Sequence, residues 1–208
     1  MSLLAELFDD AIAQYAQVDA PLRRSIAQAA RDTDTEPTHL MKVAGNYAKG
    51  KFYWNGLRVV IENPAGSYRS GVSEKGVAWR QKLAHAYGYL SAWKRLGLAG
   101  NGGVQKSLAD GDNIDVFVGP DPESELVFVV DQHRRDSSFD EHKCLIGFHS
   151  ETEAREAYLA NYAAGWQGLR AITPMTLDAF KAWLATGYTG RPVAQYALTT
   201  WDDWKKSH

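Results

Sequence analysis

The chain has a single cysteine, Cys144, in 208 residues. No intramolecular disulfide can form and a thiolate-rich zinc site is excluded, which fits a reducing cytoplasm. No apolar run approaches the roughly 20 residues needed to span a bilayer. The opening stretch, MSLLAELFDDAIAQYAQ, has neither a basic leader nor a small-residue cleavage site, so the expectation is a soluble protein that is not exported. A bias of charge is missing too: the formal net charge is -2 and the signs are scattered. No global field therefore recruits nucleic acid or an anionic membrane, and any anion must be caught locally. Internal repeats and low-complexity segments are absent. What is present is ordinary globular composition, 45% hydrophobic and 23% charged, enough for one core or one core with a small appendage.

Leu3, Leu4, Leu7, Ile12 and Tyr15 recur at helical spacing, and Ser25, Ile26, Ala29 and Ala30 continue a second short helical pattern after Pro21. Asp32 to Thr38 is polar, contains a proline and lacks an apolar period, which makes it the best linker. Residues 1–40 read as a helical appendage and linker, 41–187 as the main domain and 188–208 as a tail. From Lys51 to Ile61 the residues are aromatic and β-branched around Asn55-Gly56, the signature of two strands joined by a tight hairpin. Ile114–Val118, Leu126–Val130 and Lys143–Phe148 are further strand-like runs, and several short strands without crossover helices predict a small closed β-barrel. Ser150 with Glu153 predicts a capped helix carrying Ala154, Ala157, Tyr158 and Tyr162. A second helix starts near Thr176, with Leu177, Phe180, Trp183 and Leu184 on one face, and ends at Gly187. The fold class expected is α+β.

The segment richest in chemistry is Asp110-Gly111-Asp112-Asn113-Ile114-Asp115, three carboxylates in six residues at a strand entrance. Carboxylates at that density repel unless cations neutralise them, and hard divalent ions such as Mg²⁺ prefer oxygen ligands. A solvated acidic turn would use the same residues, and the spacing alone leaves the two readings level. Asp131 at a strand end, with Asp140 and Glu141 before Lys143, supplies a second acidic set that one rim of a barrel could bring near the first; a charged hairpin loop explains the latter run equally well. Tyr87-Gly88-Tyr89, taken by itself, reads as core aromatics.

In combination these segments carry a resemblance. The order Val60-Ile61-Glu62-Asn63-Pro64, Tyr87-Gly88-Tyr89, Asp110-Gly111-Asp112-x-x-Asp115-Val116, Asp131, and an acidic residue two before Lys143 resembles the motif series of the soluble inorganic pyrophosphatases with an OB-like barrel. It looks more similar still to the pyrophosphatase-like domains of phage and mobile-element proteins, where phrases like Ala44-Gly45-Asn46-Tyr47-x-Lys49-Gly50, Phe139-Asp140-Glu141-His142-Lys143 and Ile172-Thr173-Pro174-Met175 recur. The resemblance covers roughly residues 44 to 187. It implies Mg²⁺-dependent hydrolysis of inorganic pyrophosphate in a cytoplasm, that of a host cell if the gene is phage-borne. Mg²⁺ would be held by Asp110, Asp115, Asp131 and either Asp140 or Glu141, with Glu62 at a further metal position. Asp112 would orient or deprotonate the attacking water, with Tyr87 and Lys143 beside it. Arg69, Lys143, Tyr87 and Tyr162 would hold the phosphates, and Arg80 matches a family arginine loosely. Related enzymes commonly assemble, so a homo-oligomer is one expectation.

The departures are specific. Ala163 stands where the family places a lysine after the tyrosine matched by Tyr162, and Arg69 stands where lysine is usual in the cellular enzymes. Ser91–Ala109 is a long insert before the acidic motif. Its glycines and Lys106-Ser107 do not make a phosphate loop, because Gln105 occupies a position that needs glycine. Two other readings compete: a binding module that has lost turnover, and a hydrolase of a nucleotide diphosphate. Nucleic acid as partner is disfavoured by the absence of a dense Lys/Arg stripe.

Overall fold

The structure, a computed structural model, describes residues 21–72, 76–93, 113–186 and 189–194. Residues 21–31 are helical (α1), followed by a short helix α2 at His39–Ala44. Strands β1 (Lys51–Trp54) and β2 (Leu57–Asn63) form the expected hairpin. Asn55 and Gly56 occupy its turn with φ of 48° and 82°, the left-handed pair that a tight hairpin twisting with its strands requires. Then come β3 (Tyr68–Val72), β4 (Ala78–Lys82), β5 (Ala86–Trp93), β6 (Asp115–Val118), β7 (Leu126–His133), β8 (Phe139–Ile146), α3 (Glu151–Ala160), β9 (Leu169–Thr176) and α4 (Leu177–Thr186).

Seven strands form one sheet in the order β1-β2-β5-β6-β8-β7-β9, and β3-β4 is a separate two-stranded ribbon. The closed barrel expected above is not found among the described residues: β1 and β9 are the two ends of the order and no pairing joins them. Two features defeat the simple barrel expectation. β8 inserts between β6 and β7 and runs parallel to β6, a long-range pairing no local turn signal specifies. β9, a strand containing Pro174, lies at the edge beside β7, where the missing N–H is tolerated.

Both faces of the sheet are covered. On the face we call the reverse, Val116, Val118, Val127, Val129, Cys144 and Ile146 pack with Ala29 of α1 and Phe180, Trp183 and Leu184 of α4. On the front, Tyr87, Phe117, Phe128, Val130 and Leu145 pack with Ala154, Ala157 and Tyr158 of α3. A sheet buried on two sides reads as continuous apolar runs rather than alternation, which is why Val116–Val118, Leu126–Val130 and Cys144–Ile146 are unbroken apolar stretches within β6, β7 and β8.

The segment before the sheet is tied into the same core. Thr33 is buried, and its hydroxyl donates to the Ala29 carbonyl at 2.9 Å while accepting from Gly50 N–H at 3.0 Å. Residue 50 is glycine because a Cβ there would lie 1.8 Å from the Ala29 carbonyl oxygen. After α4, Val193 joins the reverse core. The caps follow their sequence signals: Ser150 Oγ accepts from Glu153 N–H at 3.2 Å, and Glu153 reaches back to His149 N–H at 2.9 Å. The stretch patterned as helix near Leu3–Tyr15, the stop at Gly187 and the residues beyond 194 lie outside the described residues. Among the described residues, no helix is long and apolar enough to cross a membrane.

Candidate active site

Asp115 opens β6 and faces front, in register with Tyr89 of β5 on one side and Lys143 of β8 on the other. The Tyr87 hydroxyl donates to Asp115 Oδ2 at 2.5 Å, and Lys143 Nζ donates to the same oxygen. Lys143 Nζ also meets Glu141 Oε1 at 2.8 Å and the Tyr87 hydroxyl at 3.2 Å. Lys143 is only 1% exposed. Burial works against its charge, but Asp115, the tyrosines and Glu141 more than offset this, so the ammonium is held charged well above the ordinary lysine range. Glu141 is pushed up from the usual carboxylate range, first by burial and also by Asp115, against the pull of Lys143. Arg69 reaches in from β3 with its guanidinium 4.5 Å from the centre of the Tyr87 ring and 5.9 Å from that of Trp79.

Phenols line the rest of the site. Burial lifts the Tyr87 and Tyr158 hydroxyls far above their ordinary values and Tyr162 to about 12, so all three remain neutral hydrogen-bond donors at physiological pH. Tyr162 stacks on Trp166 at 4.7 Å with an 8° interplanar angle and meets Phe117 edge-on. Gln132, which the sequence reading missed, ties the two halves together. Its Nε2 donates to Glu141 Oε1 at 2.8 Å and Asp140 Oδ2 at 3.1 Å, and its Oε1 accepts from Tyr158 at 2.7 Å and Tyr162 at 2.9 Å. The only sequence signal for Gln132 was strand parity, and with apolar residues on both faces parity had no reference point.

The structure therefore brings together Tyr87, Asp115, Glu141, Lys143, Arg69 and Tyr162 of the residues expected from sequence. Asp140 lies at the edge, its Oδ1 held by Arg134 at 3.0 Å. Glu62 is paired with Lys49 at 2.9 Å, and Lys49 leans towards the Tyr89 ring. Asp110 and Asp112 lie outside the described residues. Arg80 and Asp131 face away from the cluster. Arg80 is opposite Ser70 in the ribbon, the face away from Arg69, with its guanidinium 3.7 Å from the Tyr68 ring centre. It lines a separate polar cavity of about 330 Å³ with Lys42, Ser67 and Ser70. Asp131 points to the reverse face, where its oxygens accept from Val193 N–H at 2.8 Å and Ala194 N–H at 3.1 Å. A one-residue step along a strand changes the face, so Asp131 and Gln132 cannot both look forward.

Among the described residues no three His, Cys, Asp or Glu side chains converge as a metal-binding group. The donors that do converge, Asp115 and Glu141, are carboxylate oxygens meeting at one ammonium. That donor chemistry suits a hard divalent cation, and β6, which Asp115 opens, follows directly on the segment carrying Asp110 and Asp112. Phosphate chemistry is also served, with a buried ammonium, a half-buried guanidinium and three neutral phenols on one face.

No curated protein and no solved structure gives a significant match to the chain. A family model described as Inorganic Pyrophosphatase matches residues 40–185, a span that takes in every strand among the described residues and all of the front-face cluster. On that match, over more than half of its length, the chain belongs to the inorganic pyrophosphatase family.

Proposed function

We propose that the chain hydrolyses inorganic pyrophosphate to phosphate in a Mg²⁺-dependent reaction on the front face of the sheet. The observation that carries this is the Asp115–Lys143–Glu141 cluster with Tyr87, two partly exposed carboxylates meeting at a buried ammonium beside Arg69. Asp115 and Glu141 would hold Mg²⁺ together with Asp110 from the preceding segment, Asp140 being available at the edge and Glu62 at a further position. Bound Mg²⁺ would supply charge neutralisation of the diphosphate and acidify a water.

The protein's own groups do the remainder. Lys143, paired here with Asp115 and Glu141, would serve phosphate oxygens if those carboxylates held a cation, and Arg69 would offer a planar fork beside it. Tyr87 and Tyr162, held neutral, would contact phosphate oxygens without adding charge once their single hydrogens leave Asp115 Oδ2 and Gln132 Oε1. Asp112 would take the proton of the attacking water. Developing charge on the transferring phosphoryl group would then be met by positioned cations. The setting we infer is cytoplasmic, in a host cell for a phage or mobile-element protein of this kind, and OB-like curvature of the sheet and assembly into a homo-oligomer belong to the same reading.

Two variants test the assignment. Asp112→Asn should abolish phosphate release while leaving the circular dichroism and melting transition unchanged, and Asp115→Ala should weaken Mg²⁺ binding in a direct titration. Wild-type turnover from Asp112→Asn, or undiminished Mg²⁺ affinity in Asp115→Ala, would defeat the role assigned to that residue.

A further inference from the structure

Side chains along a strand alternate between the two faces of a sheet, so only one of two consecutive residues can serve a given face. In β7 the core clusters place Phe128 and Val130 in front and Val127 and Val129 behind. Continuing the alternation puts Asp131 behind and Gln132 in front, and their partners agree. β8 divides the same way, with Glu141 and Lys143 in front and His142 and Cys144 behind.

Asp131 is fully buried on the reverse face. Its two oxygens accept from consecutive backbone amides, Val193 at 2.8 Å and Ala194 at 3.1 Å, and His142 Nε2 lies 3.2 Å from Oδ1 without hydrogen-bond alignment. A buried carboxylate without such donors would carry an uncompensated desolvation penalty. To reach a cation in front of the sheet, Asp131 would have to pass through the plane of β7 and β8. Gln132 is 4% exposed and uses its whole amide: two donors to Asp140 and Glu141, two acceptor positions to Tyr158 and Tyr162. A carboxylate in its place would repel both acids, and an apolar residue would leave both acids and both phenols without a shared anchor.

We propose that β7 contributes Gln132, and not Asp131, to the reaction face. Gln132 is a positioning residue that sets Glu141 for the cation and fixes the Tyr162 hydroxyl beside it, while Asp131 anchors the chain at 193–194 to the back of the sheet. The part concerning Gln132 rests on the pyrophosphatase reading; the part concerning Asp131 does not.

The test compares the wild type, Asp131→Asn and Gln132→Met by two readouts: Mg²⁺ affinity from calorimetric titration, and hydrogen exchange at the Val193 and Ala194 amides. Asp131→Asn should bind Mg²⁺ within about threefold of the wild type, while those two amides exchange about tenfold faster or more, the loss expected for a charge-assisted hydrogen bond. Gln132→Met should weaken Mg²⁺ binding about tenfold or more and lower kcat for pyrophosphate more than it raises KM, with exchange at Val193 and Ala194 unchanged. Gln132→Glu should not restore either, because it lacks both donors. Loss of Mg²⁺ binding in Asp131→Asn with the Val193 and Ala194 amides still protected would overturn the proposal. If the wild type neither binds Mg²⁺ nor releases phosphate, the pyrophosphatase reading and the role of Gln132 fall together. The exchange rates in Asp131→Asn alone then decide the role of Asp131.

Discussion

Lys143 is the residue on which the front face balances. It is buried between Asp115 and Glu141, and neither carboxylate has another cation at hydrogen-bond distance among the described residues. Removing one member of a buried ionic group leaves the others uncompensated, which costs about 3 kcal/mol or more. Lys143→Met should show that loss in urea denaturation without Mg²⁺; a change below about 1 kcal/mol, the range of exposed pairs, would mean the carboxylates are solvated independently. His85 offers a residue-scale test of pH dependence. Asn161 Oδ1 accepts from the backbone N–H groups of Ala84 and His85, which turns the Asn161 amide nitrogen towards His85 Nδ1 at 3.2 Å and calls for an unprotonated acceptor there. Burial lowers the imidazole below its usual range. A depressed folded value means the stabilising contribution is complete above the unfolded value of about 6.5 and is lost as pH falls towards the folded one. Between pH 7.5 and 5.5, roughly bracketing that reference value, the wild type should lose more urea stability than His85→Gln. Equal losses would contradict the burial argument.

At the scale of elements, the contact of α1 with the sheet depends on residue 50 having no side chain. A Cβ at Gly50 would meet the Ala29 carbonyl oxygen at 1.8 Å, backbone against backbone, so neither partner can swing aside. Gly50→Ala should therefore destabilise by about 3 kcal/mol, the upper end for overpacking, read as a lowered melting temperature; an unchanged transition would mean α1 docks elsewhere. Elements specified by neighbouring residues were legible in the sequence. Asn55-Gly56 announced the β1–β2 turn, Ser150 with Glu153 announced α3, and the apolar face at Leu177, Phe180, Trp183 and Leu184 announced α4. Elements specified by distant partners were not. The β3–β4 ribbon is mostly exposed and has no apolar alternation to betray it, and β9 is a strand only because β7 offers it an edge. The parallel pairing of β6 with β8 likewise depends on residues 28 apart in sequence, as in Asp115 with Lys143. The candidate site divides on the same line: motif order nominated Asp115, Lys143, Tyr87 and one of Asp140 and Glu141 as candidates, whereas the facing of Asp131 and Gln132 required the three-dimensional partners of β7.

Across the whole molecule, the sheet separates two tasks. Its reverse face carries the larger apolar core, with α1, α4 and the chain at 193 packed on it, and its front face carries the charged cluster beside Arg69 of β3 and the aromatic residues that pack on α3. The clustered front-face charges are close to balance, Lys143 and Arg69 against Asp115 and Glu141, so these residues alone would not offset the several negative charges of a diphosphate. Binding of the proposed diphosphate would therefore call for added positive charge, the part given above to Mg²⁺. The most direct measurement is release of phosphate from inorganic pyrophosphate by the purified chain, with Mg²⁺ and with chelator, beside a panel of nucleoside di- and triphosphates. Release that appears with Mg²⁺, disappears with chelator and favours pyrophosphate is the predicted result. No release from any substrate, or release undiminished by chelator, would contradict the account.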